Sequence, residues 1–262
     1  MKKIFYFFLL ANITCATYAQ QTKNIVHDPN AVVRNLSGFK EIEVSGGINL
    51  YLSQGASDAV AVSVDDAKNI DKIKTEIKNG VLKIFIENGS WNGWSWKNKK
   101  IKAYVTAKII ERIDASGACS VTLIDKVSSN DMRLFLSGAS SCKGDLSATT
   151  AKFDIAGAST FKGSLTSVSS LKLYISGASS VSLTGAATTA NIVVSGASNF
   201  KAYSFFIDDC KAEASGASSL SISVKKELEA EASGASSIRY TGSPNVKKSE
   251  TSGASSIKKK DN

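Results

Sequence analysis

From Glu111 onward, apolar residues fall on every second position in short runs that return about every 20 residues. Ile113/Ala115, Leu134/Leu136, Phe153/Ile155, Leu173/Ile175, Ile192/Val194, Ala212/Ala214 and Ala230/Ala232 hold equivalent positions. The residues between and beside them are mostly charged, as in Arg112/Asp114, Lys152/Asp154, Lys211/Glu213 and Glu229/Glu231. A period of two with one apolar face predicts a half-buried strand. Each run leads into a small-residue phrase of the form Ser-Gly-Ala-Ser, and five residues after its first position stands another apolar column. That column reads Val121, Cys142, Phe161, Val181, Phe200, Leu220, Ile238, Ile257. The phrases are centred on Gly117, Gly138, Gly157, Gly177, Gly196, Gly216, Gly234 and Gly253, spaced 21, 19, 20, 19, 20, 18 and 19 residues apart. Self-similarity at such a period means stacked turns. The reading is an all-β parallel solenoid with coils of ~19–20 residues: strand, tight corner, second strand, variable return. Glycine at the corner supplies positive φ, and the serine hydroxyls can bond backbone groups left open at a bend.

The chain before Glu111 is also β-like but less regular. Phe39–Val44, Gly47–Ser53 and Ala59–Val64 alternate, and two further runs flank Asn79-Gly80, the signature of a type I′ hairpin. Residues 38–110 are therefore expected to form opening coils plus a β cap over the first turn, and residues 111–262 the regular repeats of one domain, 38–262. Residues 1–19 read as a secretory signal peptide: Lys2 and Lys3 precede the apolar run Ile4–Leu10, and Thr17 and Ala19 are small residues before the cleavage point. Lipidation at Cys15 is the alternative processing. Residues 20–37 read as a leader. No run approaches the ~20 apolar residues of a transmembrane helix, so the expected location is periplasm, outer surface or extracellular space.

With 43% apolar and 21% charged residues, the chain is globular material. Loss of residues 1–19 removes two of 32 basic and none of 23 acidic residues, leaving a net charge of +7. No nucleic-acid module accompanies that charge, so nucleic acid is not an expected partner. Cys142 and Cys210 sit in apolar columns and read as small buried hydrophobes. Cys119 replaces a corner serine; its neighbour one turn on is Ser140, so no ladder disulfide follows. The single histidine, His27, lies in the leader and cannot complete a nucleophilic triad or a metal site with the repeats. No enzyme and no cofactor are expected.

Three features are candidates for contact. Trp91, Trp94 and Trp96, followed by Lys97, could stack on and bond a sugar, or could fold back to cap the solenoid. Two basic columns recur outside the strands: Arg112, Arg133, Lys152, Lys172 and Lys211 in one, Lys143, Lys162, Lys201 and Arg239 in the other. They could attract anionic glycans, but Asp114, Asp154 and Glu213 are expected to offset the charge. Glu213, Glu231 and Glu250 would stack in consecutive turns, though Lys211 and Lys248 beside them argue against a cation site.

Arg34-Asn35-Leu36-Ser37-Gly38-Phe39, Ser45-Gly46-Gly47-Ile48-Asn49-Leu50, the Asn79-Gly80-Val81-Leu82 hairpin and the Ser-Gly-Ala-Ser repeats together resemble the head GIN domain family of putative auto-transporter adhesins. The resemblance implies a right-handed parallel β-helix and a role in surface adhesion. It brings no catalytic or binding residues. The expected function is an exported, non-enzymatic β-helix that binds an extracellular glycan or surface protein; a polysaccharide-active enzyme and a self-stacking scaffold are the alternatives.

Overall fold

The computed structural model describes residues 28–87 and 100–260. The chain opens with β1 (Val32–Arg34), β2 (Glu41–Ser45), β3 (Asn49–Gln54), β4 (Ala59–Val64), β5 (Ile73–Lys78), β6 (Val81–Ile86) and β7 (Ile101–Ala107). The repeats follow as β8 (Arg112–Ser116), β9 (Ser120–Leu123), β10 (Val127–Leu136), β11 (Ser141–Ile155), β12 (Thr160–Ile175), β13 (Ser180–Val194), β14 (Asn199–Ala214), β15 (Ser219–Ala232), β16 (Ser237–Thr241), β17 (Asn245–Thr251) and β18 (Ser256–Lys259). A 3-10 turn at Ala67–Lys72 is the only helical element among the described residues.

From β8 onward the coils pair in parallel and in register, so each residue stands over its equivalent one turn away. Leu134 lies between Ile113 and Phe153, and Phe161 between Cys142 and Val181. Both apolar columns point inward and are fully buried through Ile238. Each large side chain so enclosed contributes about 1.5–3 kcal/mol. The return segments, expected as variable loops, are themselves paired: β11 to β15 run from one corner to the next without a break. Differences in repeat length are absorbed at register shifts such as Ser147/Thr150, Leu165/Val168 and Ala202/Phe206. A bulge takes up one residue and bends the strand while the ladder continues on either side.

The first turn of the stack has an unforeseen neighbour. β2 pairs with β8 on one side and β6 on the other, while β3 pairs with β9 and β7. β6 and β7 thus cover the β2–β3 turn from outside. The cap is completed by antiparallel strands: β5 on β6, and β4 between β7 and β1. Asn79 (φ 52°) and Gly80 (φ 76°) make the expected hairpin turn. The stretch read as a leader contributes β1, and Asp28 just before it is held by the Tyr104 hydroxyl (2.7 Å) and the Lys102 ammonium (3.1 Å) of β7.

Candidate functional site

The corner fixes how closely coils stack. The eight corner glycines have φ between +67° and +76°, the left-handed region. A Cβ on Gly177 would stand well inside contact distance of the Gly157 carbonyl oxygen, which accepts from Ala178 N at 2.7 Å. Next to the glycines runs a buried serine column. Ser179 Oγ accepts from Ser159 N and donates to Gly157 O, and Ser198 Oγ does the same for Ser179 N and Gly177 O, all at 3.3 Å. Ser218, Ser236 and Ser255 donate to strand-end carbonyls of preceding turns. Cys119 occupies this column and its Sγ accepts from Ile48 N at 3.4 Å, so the thiol stands in for a hydroxyl. Gly46 lies under Gly117 and begins the ladder, a rung that the sequence hides because Ser45-Gly46-Gly47-Ile48 lacks the second serine and is 71 residues away. The corner is structural and leaves the outward faces of the two flanking arms for contact.

On the arm before the corner, neighbouring charges neutralise one another. Arg112 pairs with Glu41 and Asp114, Arg133 with Glu41, Lys83 with Glu43, Lys211 with Glu213, and Lys248 with both Glu231 and Glu250. Lys248 holds the Glu231 carboxyl below its ordinary pKa, and Glu213 raises that of Lys211. Arg112 and Lys152 also lie against the Phe135 ring, at 5.0 and 6.0 Å. Lys172 alone of the named cations on this arm has no such partner. Glu213, Glu231 and Glu250 do stack, and they border a shallow groove of about 250 Å³. Lys248 bridges two of them, and no group of three metal-ligating side chains converges among the described residues.

The arm after the corner is different. One outward column reads Tyr104, Tyr51, Thr122, Lys143, Lys162, Ser182, Lys201, Ser221, Arg239, Lys258 in successive turns. Five cations thus occupy seven consecutive rungs, all are exposed, and none forms an ion pair with a described residue. The expected offset by carboxylates is met at Asp114 and Glu213 before the corner, while Asp154 pairs with no described cation and the column after the corner is offset by no described carboxylate. Beside the cations runs a hydroxyl and amide column, Ser141, Thr160, Ser180, Asn199, Ser219, Ser237, Ser256. The side chains of Thr160, Ser180, Asn199 and Ser219 make no hydrogen bond within the described residues. The carboxylate here, Asp145, is turned to Ser164, accepting from its N–H and its hydroxyl. An open concavity of about 600 Å³ lies across the ladder, lined by Lys162, Ser164, Ser182, Thr184, Lys201 and Tyr203. The Lys260 ammonium sits 4.5 Å over the Tyr203 ring and brings one more cation to its rim.

A second open groove, about 550 Å³, lies near Gln54 and Asp131 and has no row of cations along it. Gln54 exchanges two hydrogen bonds with the Ser128 backbone, and Asp131 accepts from Thr150. The three described cysteines are buried, and desolvation pushes the Cys142 and Cys210 thiols up to about 12. Trp91, Trp94, Trp96 and Lys97 lie outside the described residues, as do His27 and Cys15.

Among solved structures, a putative adhesin from Parabacteroides merdae aligns at TM-score 0.79 and 15% identity, over 89% of this chain and 98% of its own. A putative adhesin from Parabacteroides distasonis aligns at 0.78 and 16%, over 87% and 95%. A putative lipid binding protein from the same organism aligns at 0.71 and 19%, over 89% and 98%. Likeness at these identities establishes the shared solenoid. No curated protein matches the chain in sequence. The model of the family described as putative auto-transporter adhesin, head GIN domain, matches residues 38–244, from the turn before β2 to the end of β16, and the chain belongs to that family.

Proposed function

We propose that this is an exported, non-enzymatic binding protein of adhesin type that engages its partner along the side of the solenoid. Residues 1–19 direct export, residues 20–37 lead into the fold, and residues 38–262 act as one domain. The observation that carries the reading is the asymmetry of the two arms flanking the corner. On the first, Arg112, Arg133, Lys211 and Lys248 are held in ion pairs; on the second, no cation pairs with a described carboxylate over seven rungs, and Thr160, Ser180, Asn199 and Ser219 keep their side-chain hydrogen-bonding groups free. Unpaired charge repeated along one face raises the local concentration of an oppositely charged partner. Thiols pushed to about 12 are not nucleophiles at neutral pH, which favours binding over catalysis. Lys247, Lys248, Lys258 and Lys259 on β17 and β18 oppose edge pairing, which favours the side face over end-to-end stacking.

Screening the purified chain from Gln20 onward on arrays of glycans and surface proteins tests this. Saturable binding without any change to the ligand is the expected result. Release of new reducing ends from a polysaccharide would replace it with the enzyme reading, and binding to nothing on either array would remove it.

A further inference from the structure

We infer that the ligand of the unpaired face is a linear acidic polysaccharide, bearing uronate or sulfate groups, that lies parallel to the solenoid axis across Lys143, Lys162, Lys201, Arg239 and Lys258. This rests on the adhesin-type reading above and adds its ligand class and pose.

Spacing comes first. Coils repeat every ~4.8 Å, so Lys162, Lys201 and Arg239, two rungs apart, present charge at about 10 Å intervals. That is close to one disaccharide of an extended polysaccharide, so a chain with an acidic group on every sugar, or on every second one, meets a cation at each repeat. Lys143 and Lys258 extend the row by one rung at either end, giving about 29 Å from first to last at that rung spacing.

The second observation is the neighbouring column. Thr160, Ser180, Asn199 and Ser219 stand two residues from the cations on the same face, with side-chain donors and acceptors unused inside the protein. A sugar chain offers ring and hydroxyl oxygens to such a column at every residue along its length. Single-stranded nucleic acid is held on aromatic platforms that stack its bases. The five-cation stretch carries none in either column, and Tyr51 and Tyr104 stack on each other beyond its end, centroids 5.3 Å apart. Tyr203 lines the concavity with Lys162 and Lys201, and Lys260 covers its ring.

The third is the shape of the surface. In-register parallel stacking keeps Lys162, Ser182 and Lys201 in one file, and all three line an open concavity. A concavity along such a file suits a chain that continues past both ends of the site.

Size-defined oligogalacturonates, measured by biolayer interferometry against the folded chain, test the inference. Affinity should rise with length until the chain spans about 29 Å and then level off, and should fall steeply with salt as counterions are retained. The variant Lys143→Ser/Lys162→Ser/Lys201→Ser should bind about tenfold more weakly or worse. The control Lys152→Ser/Lys172→Ser/Lys211→Ser removes the same charge from the other arm and should change affinity less than about twofold. Equal loss in both variants would reduce the effect to net charge and overturn the proposal. Tighter binding to single-stranded DNA or to phosphatidylglycerol vesicles than to the oligogalacturonate would overturn the ligand class. Binding to a neutral glycan alone would overturn the proposal and leave the adhesin-type reading standing. Circular dichroism of both variants, whose substitutions are at exposed positions, confirms that folding is unchanged.

Discussion

At the scale of the residue, the corner divides positions that look alike in sequence. Gly177 must be glycine twice over: its φ is +76° and a Cβ would press on the Gly157 carbonyl oxygen. Gly177→Ala should cost about 3–5 kcal/mol in urea unfolding, whereas Ser179→Ala, losing the buried contacts to Ser159 N and Gly157 O, should cost about 1–2. The reverse order would contradict the assigned corner. Two cysteines separate in the same way. Cys119 sits where other coils place serine, with Ile48 N ready to donate, so Cys119→Ser should move Tm by no more than about 2 °C. Cys142 lies among apolar neighbours with no partner for a hydroxyl. Cys142→Ser should therefore cost about 1–3 kcal/mol, roughly 2–10 °C. The corner glycines, the inward columns and the place of Cys119 were legible in the sequence because a fixed period forces equivalent residues into equivalent surroundings. Ion pairing was not. Whether Asp114 or Asp145 answers a given cation depends on which column each occupies and where its side chain is already bonded.

At the scale of the element, the period fails as a guide where the chain leaves it. The run of strands before Glu111 could be read off alternation and the Asn79-Gly80 turn, but not their stacking order. β2 and β3 come first in the coil and are then covered by β6 and β7, with 71 residues between Gly46 and the next rung at Gly117. β1 is tied to this cap through Asp28, whose carboxyl falls from 3.8 to about 2, chiefly through the Tyr104 hydroxyl, with the Lys102 ammonium also acting. A depressed carboxylate stabilises the fold above its unfolded pKa and loses that contribution as pH falls through the folded one. Exchange of the Val32–Arg34 amides should therefore accelerate between pH 4 and pH 2 beyond the intrinsic change. Asp28→Asn should raise the exchange already at pH 7 and remove the pH step. A step that persists in the variant would assign it to another group.

At the scale of the whole molecule, stacked coils convert a short repeat into two long faces of different electrical character. Before the corner most cations pair with carboxylates of the same face; after it the cations are left to solvent. The account depends on that difference, and lysine acetylation footprinting with mass spectrometry, with and without bound oligogalacturonate, reads it residue by residue. Bound ligand should protect Lys143, Lys162, Lys201 and Lys258 while Lys152, Lys172 and Lys211 react as in the free protein. Protection confined to the second set, or spread evenly over both, would contradict the assignment of the binding face.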